Sequence, residues 1–350
     1  RMREAGVPCE RITPEEALHR WPTLGTDGLT SVLYEPTAGF LRAGNGVRAA
    51  ARMFEREGGV IVRGRATPAA DGSALDEPAM HAQINRLVDA GIHGVVPTGT
   101  TGEFMTLTPQ EYRRVFEVVN EAAAGRCHVF AGVGSTSTAA AISLAQHAEK
   151  SGSTGVMLLP PFYAAPNFAE LQVFMRSVAE SISIPVMYYN IPSSTGVTLN
   201  AEQIATLGEI PGVNYLKDTS GDAVTMADLL ANRSNKIKAF NGWDTLTFFG
   251  LASGAEASVW GTATVIPELA VALYNALAVN NDLTEGRELW KKIWPICDFL
   301  ESVNYYAGIK AGCELIGSPV GPVRPPGLPL SNEQKAHFAK LLNAAGVKTV

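Results

Sequence analysis

The stretch VNYLKDTSGD, residues 213–222, reads as a short apolar strand that ends at Lys217 and continues into a small, polar loop containing glycine. A lysine where a strand meets its loop is often an ordinary solvated strand end. In a parallel (β/α) barrel, however, the carboxyl ends of the strands lie on the face that carries the active site. A lysine partly shielded from water there can attack a carbonyl and form a Schiff base. The rest of the chain decides between these two interpretations.

Short apolar runs alternate with longer amphipathic ones from about residue 59 onward. The runs that we predict as strands are Gly59–Val62, Gly94–Pro97, His128–Gly132, Gly155–Leu159, Pro185–Tyr189, Val213–Lys217, Ile237–Phe240 and Ala257–Trp260. They recur at intervals of roughly 20–35 residues, the size of a βα unit. Eight such units in succession predict an α/β fold of the (β/α)8 TIM-barrel type, and a doubly wound open sheet is the structural alternative.

Helix signals lie between these runs and after them. Asp76–Ala90 opens with an acidic cap, and Thr108-Pro109 followed by Glu111 is a helix-start pattern. Apolar residues at three-and-four spacing predict helices over Phe168–Ser181 and Glu268–Val279. Three more helices are predicted at Leu283–Leu300, Val303–Ile316 and Glu333–Ala345. We therefore expect a barrel over residues 59–281, a C-terminal helical region over 282–350 and an additional N-terminal segment over 1–58.

Composition excludes several classes of function. The formal net charge is −6 and the pI is near 5.6, which argues against a nucleic-acid-binding surface. No run approaches the roughly 18 apolar residues of a membrane span, and no signal peptide is recognisable. The four cysteines form no CxxC pair, and the six histidines form no HxH or HExxH pattern. These observations predict a cytoplasmic protein without a metal site.

Three further loops carry residues that can do chemistry. GTTGE at residues 99–103 follows the second predicted strand, and its hydroxyls and backbone donors can bind a carboxylate. Tyr189 ends the fifth predicted strand, before NIPSSTG, and a tyrosine there can transfer protons. PPFY brings Tyr163 to the end of the fourth predicted strand. Each motif also has a purely structural interpretation, as a tight turn or a packed aromatic ring.

As a set, these motifs resemble the dihydrodipicolinate synthase/N-acetylneuraminate lyase family of class I, pyruvate-dependent aldolases. GTTGE, PPFY, YNIPSSTG and LKDTSGD stand in this order at the ends of predicted strands two, four, five and six. The resemblance covers about residues 59–350, including the three C-terminal helices. It implies a lyase or synthase that makes or breaks a carbon–carbon bond between pyruvate and an aldehyde.

The resemblance implies roles for five residues at the strand ends. Lys217 would form the Schiff base with pyruvate or another 2-oxo acid, and Tyr189 would transfer protons to and from the reacting oxygens. Thr101 would hold the oxo-acid carboxylate, while Thr100 would relay protons. Tyr163 would reach into the site of a neighbouring subunit, which implies a homodimer or a homotetramer. An iminium on lysine is itself an electron sink, so neither metal nor flavin is expected.

The resemblance also implies contacts to the substrate. The backbone of Val259 would contact the bound oxo acid, and Thr219, Gly242 and Asp244 match the lyase branch, whose corresponding residues touch sugar hydroxyls. In that branch an acidic residue commonly follows the aspartate, whereas this chain has Thr245.

The loop after the fifth predicted strand departs from the synthase branch. There an arginine grips the carboxylate of aspartate semialdehyde, and this chain has Ser194, which cannot make the same bidentate contact. We therefore expect a hydroxylated 2-oxo acid as substrate. A 4-hydroxy-tetrahydrodipicolinate synthase proper and a keto-deoxy sugar acid dehydratase stay open as alternatives.

The N-terminal segment suggests a different class of protein. Leu33–Arg42 and Gly46–Gly59 resemble an internal piece of the sarcosine-oxidase-like flavoprotein amine oxidases, although no GxGxxG fingerprint is present. A flavin-dependent amine oxidase is accordingly one rival interpretation. A barrel that binds a 2-oxo acid without turning it over is the other.

Overall fold

The computed structural model describes residues 10–20, 32–34 and 74–350 of the chain. The chain divides into two compact units, Arg1–Ala66 and Thr67–Val350. In the first unit, β1 (Glu10–Ile12) pairs antiparallel with β2 (Val32–Tyr34), and α1 (Pro14–Arg20) follows β1. The first predicted barrel strand, Gly59–Val62, lies outside the described residues.

A parallel sheet forms the centre of the second unit. Its strands are β3 (Gly94–Val95), β4 (His128–Gly134), β5 (Gly155–Leu159), β6 (Val186–Asn190), β7 (Val213–Asp218) and β8 (Lys238–Asn241). They are hydrogen-bonded in the order of the sequence, without a reversal. A doubly wound sheet reverses its strand order at a switch point, so the described sheet is not of that kind.

The last predicted strand is reduced to one residue pair. Ser258 forms an isolated parallel bridge with Asn241 at the end of β8. Its hydroxyl lies 3.1 Å from Asn241 Nδ2 and 3.2 Å from Thr247 Oγ1. The bridge consists of two backbone hydrogen bonds, from the Asn241 amide to the Ala257 carbonyl and from the Val259 amide to the Asn241 carbonyl, and it differs from the strand expected over Ala257–Trp260.

Helices follow the strands as the βα pattern requires. They are α2 (Glu77–Asp89), α3 (Pro109–Ala123), α4 (Thr138–Lys150), α5 (Phe168–Ala179), α6 (Pro192–Thr195), α7 (Ala201–Leu207), α8 (Ala223–Asn232), α9 (Thr247–Ala252) and α10 (Pro267–Tyr274), which continues as a π-helical segment over Asn275–Val279. The helix-start pattern before α3 is a complete capping box, in which Thr108 and Glu111 each accept the other's backbone N–H.

Alternate strand residues belong to two different cores, because successive side chains of a strand point to opposite faces. The core between the sheet and its helices contains Val156, Leu158, Val186, Tyr188 and Leu216. The core on the other, inner face contains Met157, Leu159, Met187, Tyr189 and Tyr215. Both faces of the sheet are therefore buried, as expected for parallel strands.

The alternation is interrupted once, at the start of β7. Val186 pairs with Val213, but Met187 pairs with Tyr215, so Asn214 is an extra residue opposite the β6 ladder. After this bulge Tyr189 pairs with Lys217. The bulge thus places the lysine on the inner face of the sheet, beside the tyrosine.

Three helices close the chain: α11 (Leu283–Ser302), α12 (Tyr305–Leu315) and α13 (Asn332–Ala344). Their apolar faces share one core with residues from the segments around α9 and α10, among them Leu251, Val265 and Leu273. They belong to the same compact unit as the sheet. The domain boundaries at residues 58/59 and 281/282 stay predictions. In the described ranges, no helix is both long enough and apolar enough to span a membrane.

Candidate active site

Lys217 and Tyr189 lie side by side at the carboxyl ends of β7 and β6. The Lys217 Nζ is 4.3 Å from the centroid of the Tyr189 ring. Tyr189 is buried and Lys217 is half-buried. Among the described residues, none hydrogen-bonds the Tyr189 hydroxyl or the Lys217 ammonium group. Both polar groups are therefore available to a substrate, and the electron-rich ring face stabilises the nearby cation.

A second pair of strand-end residues fixes β6 to β7 on the side that faces the helices. Asn190 Nδ2 donates to Asp218 Oδ1 at 2.7 Å, and the Ser220 hydroxyl donates to Asp218 Oδ2 at 3.0 Å. Burial is the main influence on Asp218 and raises the pKa of its carboxyl, although these hydrogen bonds oppose it. This pair holds the two strand ends together directly behind the lysine and the tyrosine.

The loop that contains GTTGE is a tight turn with a strained backbone at both ends. Thr98 and Glu103 have φ values of 55° and 54°, which non-glycine residues seldom adopt. The Thr98 hydroxyl lies 2.7 Å from the Gly132 carbonyl of β4. A side chain at Gly132 would place a Cβ atom 2.6 Å from the Thr98 carbonyl oxygen, so glycine lets the loop lie close to the strand.

A small pocket connects this loop with the inner face of the sheet. It has a volume of about 180 Å³, part of it open to solvent, and is lined by Gly99, Thr100, Met157, Leu159 and Tyr189 among others. The structure therefore brings Thr100 and Tyr189 together in one cavity. Thr101 is half-buried on the same loop but does not line this pocket.

Charged residues from the C-terminal part of the chain hold the loop in place. Lys310 Nζ of α12 lies 2.5 Å from Glu103 Oε2, and the Arg324 amide donates to Glu103 Oε1 at 3.0 Å. The Arg324 guanidinium also pairs with both carboxylate oxygens of Glu111, at 3.0 and 2.6 Å. This hydrogen-bonded pair lowers the pKa of Glu111 to about 2. The loop is thus fastened to residues more than 200 positions away in the chain.

The segment after β8 passes directly over the lysine. A side chain at Gly242 would place a Cβ atom 2.8 Å from Lys217 Cε and even closer to the Thr219 hydroxyl. Thr219 donates that hydroxyl to the Gly242 carbonyl at 3.0 Å. Glycine at position 242 therefore lets the segment after β8 lie against Lys217. The Thr219 hydroxyl joins the loop after β7 to this segment.

Asp244 is fixed below the surface of this segment. It is buried, and its Oδ2 accepts hydrogen bonds from the Thr262 amide at 3.0 Å and from the hydroxyls of Thr262 and Tyr305, each at 2.5 Å. Burial raises the pKa of its carboxyl, although these hydrogen bonds and the nearby Lys217 charge act in the opposite direction. Asp244 lies close to the lysine, but its Oδ2 serves internal donors.

Thr245 is held by a carboxylate from α11. The Thr245 amide donates to Glu301 Oε1 and its hydroxyl donates to Glu301 Oε2, both at 2.9 Å. The Trp243 indole N–H donates to the Thr245 hydroxyl at 3.0 Å. Partial shielding from water raises the pKa of Glu301, against the effect of the Thr245 hydrogen bonds.

Of the three remaining predicted site residues, Tyr163 and Ser194 lie further out, whereas Val259 packs against the inner core. Tyr163 is 93% exposed, and Ser194 is also exposed, on the short helix α6. The Val259 amide donates to the Asn241 carbonyl at 2.7 Å, which leaves its own carbonyl oxygen for any contact to a substrate. In this chain alone, none of these three residues lines the pocket next to Tyr189.

Sequence reasoning missed the residues that contact the candidate site from the C-terminal part of the chain. Lys310, Arg324, Glu301 and Tyr305 each contact a loop at the end of a strand, but no local motif marks them. Glu103 was visible as the last residue of GTTGE, and its left-handed backbone and its ion pair were not. Contacts of this kind depend on chain segments that are distant in sequence, so only the fold reveals them.

Comparison with known proteins agrees with this architecture. A model of the dihydrodipicolinate synthetase family matches residues 58–345. The chain belongs to the dihydrodipicolinate synthetase family. Members of this family are class I, pyruvate-dependent lyases, so the expected class of enzyme is confirmed. The resemblance of residues 1–58 to a flavoprotein fragment is not supported, since the family match begins at residue 58.

Similar proteins from this family include enzymes and an uncharacterised lyase. The chain is 34% identical over 277 residues to the 4-hydroxy-tetrahydrodipicolinate synthase of Methanothrix thermoacetophila, covering 79% of this chain and 93% of the relative. It is 36% identical over 261 residues to an uncharacterised DapA-like lyase of Halobacterium salinarum, covering 75% and 84%. A dihydrodipicolinate synthase of Acinetobacter baumannii, solved with pyruvate, superposes with a TM-score of 0.76 at 26% identity, over 80% of this chain and 96% of that structure.

Within residues 10–20, 32–34 and 74–350, no group of three or more His, Cys, Asp or Glu side chains is placed to hold a metal ion.

Proposed function

We propose that the protein forms a Schiff base between Lys217 and pyruvate and joins the bound pyruvate to an aldehyde, or catalyses the reverse cleavage. The observation that carries this proposal is the pairing of Lys217 with Tyr189 at adjacent strand ends, with Nζ 4.3 Å from the ring centroid and no hydrogen bond from the described residues to either polar group. A complex with pyruvate among the solved relatives supports pyruvate as the oxo acid.

The chemistry follows from these two side chains. The Lys217 amine attacks the keto carbon, and the carbonyl oxygen leaves as water to give an iminium. Loss of a proton from the neighbouring methyl group gives an enamine, whose carbon forms the new bond to the aldehyde carbon. Tyr189 delivers the proton that the aldehyde oxygen takes up, and water then hydrolyses the iminium and releases the lysine. The iminium accepts the electron pair of the broken C–H bond when the proton leaves. These steps therefore need no further cofactor.

The other strand-end residues complete the proposed site. Thr101 and Thr100 hold the oxo-acid carboxylate and relay protons, and their hydroxyls make no hydrogen bond to the described residues. Tyr163 projects from the subunit and enters the site of a second copy in a homodimer or homotetramer, which agrees with its 93% exposure. The Val259 carbonyl contacts the bound oxo acid.

The proposed fold is a closed (β/α)8 barrel over residues 59–281 with a helical region over 282–350. Six consecutive parallel strands and the bridge at Ser258 support this, together with the likeness to solved family members.

The proposed substrate partner is hydroxylated and carries no second carboxylate. Ser194 is exposed and offers no guanidinium group to grip a carboxylate. Thr219, Gly242 and Asp244 form the opposite side of the site, with Asp244 acting through Thr262 and Tyr305.

The relatives named 4-hydroxy-tetrahydrodipicolinate synthase, at 34–35% identity, favour a second candidate, the synthase reaction on aspartate semialdehyde. A keto-deoxy sugar acid dehydratase would use the same iminium to expel water.

Borohydride trapping with pyruvate tests the proposed function. A reduced adduct should appear on the peptide that contains Lys217, and Lys217→Ala should lose both the adduct and turnover. Lys238→Ala is the matched control, because that lysine lies on the next strand in an exposed pair with Glu256. Absence of any adduct in the unaltered protein would refute the mechanism. Efficient turnover of aspartate semialdehyde would replace the proposed substrate by the second candidate.

A further inference from the structure

The segment Gly242–Thr245 follows β8 and begins directly against Lys217. Gly242 lies against the aliphatic part of Lys217, and its amide donates to the Asp218 carbonyl at 2.7 Å. The Trp243 ring packs against Gly221, with ring carbons 3.4 Å from the position of an added Cβ. The loops after β7 and β8 therefore form one rigid wall next to the reacting atoms.

The carboxylate that this wall offers to a substrate is not that of Asp244. Oδ2 of Asp244 already accepts three hydrogen bonds from Thr262 and Tyr305, and the side chain is buried. A carboxylate held by several fixed donors anchors the surrounding backbone. Its main effect is on the position of the wall.

Glu301 brings a second carboxylate to the same wall from α11. Two hydrogen bonds of 2.9 Å from Thr245 fix both of its oxygens, and the Trp243 indole N–H completes the chain of contacts through the Thr245 hydroxyl. Glu301 nevertheless stays exposed, and it forms no ion pair with the residues that the structure describes. An oriented carboxylate without an ion pair to the described residues therefore stands next to the Gly242–Thr245 wall.

We infer that Glu301 is a specificity-determining residue for the aldehyde partner. It accepts hydrogen bonds from hydroxyl groups of the aldehyde and repels aldehydes that carry a carboxylate at the corresponding end. This inference rests on the proposed function, since it assigns a substrate class to the same site. The physical basis is that a fixed carboxylate has free lone pairs for hydroxyl donors, whereas two carboxylates placed together are strongly unfavourable.

The test compares two aldehydes with the same protein variants. D-glyceraldehyde supplies hydroxyl groups without charge, and succinic semialdehyde supplies a carboxylate. Glu301→Gln removes the charge and keeps an oxygen for the Thr245 amide, while its NH2 group can donate to the Thr245 hydroxyl in place of the hydrogen bond that the carboxylate accepts. Glu288→Gln is the matched control, because Glu288 lies on the same helix in an exposed pair with Lys291. The measured quantity is kcat/KM for each aldehyde with pyruvate.

We expect the ratio of kcat/KM for glyceraldehyde to that for succinic semialdehyde to fall by about tenfold or more in Glu301→Gln. Glu288→Gln should leave the ratio unchanged. An unchanged ratio in Glu301→Gln, or an equal change in both variants, would overturn the inference. Borohydride trapping of pyruvate on Lys217 separates the two levels: an adduct with an unchanged ratio refutes the role of Glu301 alone, and no adduct refutes the proposed function itself.

Discussion

Replacing Lys310 with methionine tests whether the loop that carries Thr100 and Thr101 depends on a buried ion pair. Lys310 Nζ lies 2.5 Å from Glu103 Oε2, and the two side chains are 19% and 6% exposed. Methionine keeps most of the aliphatic stem of the lysine. It leaves the Glu103 carboxylate buried with the Arg324 amide, at 3.0 Å, as its remaining partner.

The expected cost follows from this burial. Removing one partner of a buried ion pair costs about 3–5 kcal/mol, because the other charge stays uncompensated. Lys236→Met is the matched control, since its Nζ is also 2.5 Å from a carboxylate, that of Glu209, but those side chains are 47% and 54% exposed. An ion pair that is this exposed contributes about 0–1 kcal/mol to the free energy of unfolding. The free energy of unfolding should therefore fall by roughly 3 kcal/mol more in Lys310→Met than in Lys236→Met.

Urea unfolding at one fixed protein concentration measures this difference, since the apparent stability of an oligomer depends on concentration. The double variant Lys310→Met/Glu103→Gln should recover part of the loss, because it leaves no unpaired charge buried. Pyruvate should also bind less tightly to Lys310→Met, because the loop has lost its fastening. Equal destabilisation of the two single lysine variants, or no recovery in the double variant, would refute the reasoning.

Three further predictions concern the strand ends and the helix start near the loop. Tyr189→Phe should lower kcat by about 10²–10⁴-fold. Tyr188→Phe is the control and should keep activity and stability, because the Tyr188 hydroxyl is buried without a partner. Steady-state kinetics and unfolding of both variants measure this, and equal losses of activity would contradict the role proposed for Tyr189. The arginine partner of Glu111 lowers the pKa of that carboxyl from 4.5 to about 2, so its contribution to stability is fully present above pH 4.5 and is lost as the pH falls towards 2. Glu111→Gln should therefore remove part of the acid sensitivity seen by urea unfolding at pH 7 and pH 3.5, and Glu170→Gln, in the same kind of capping box, is the matched control; an unchanged pH dependence in the first variant counts against the ion pair. Gly242→Ala should abolish borohydride trapping, because the new Cβ atom would lie 2.8 Å from Cε of Lys217, the proposed Schiff-base residue; trapping at the normal rate would show that the segment moves aside.

The strands of the second unit could be predicted well from the sequence. Apolar runs bounded by polar loops are the direct signature of strands buried on both faces, and Gly155–Leu159 was predicted with the bounds that the structure has. The last run, Ala257–Trp260, forms only a bridge, because its two backbone hydrogen bonds to β8 both involve the last residue of that strand, Asn241. The apolar composition of a segment does not predict how many backbone hydrogen bonds it makes to the neighbouring strand.

The site could be predicted only as far as local motifs reach. Lys217, Tyr189 and Thr100 stand at strand ends, and the structure brings them together because parallel strands end on one face. Glu103 and Glu301 depend on partners from distant parts of the chain. Such pairs leave no periodic or short-range pattern in the sequence. The sequence therefore shows the charged residues but not their partners.

The bulge at Asn214 decides which length changes β7 can accept. If Asn214 paired with Met187, every later residue would move one step along its neighbour, and Lys217 would stand beside Asn190 among the helices. Loss of Asn214 itself would only regularise the strand, because Val213 and Tyr215 already pair with consecutive residues of β6. Loss of Leu216, the residue between Tyr215 and the lysine, would instead turn the amine to the opposite face of the sheet, away from Tyr189. Deletion of Asn214 should therefore be neutral, whereas a deletion between Tyr215 and Lys217 should inactivate the protein.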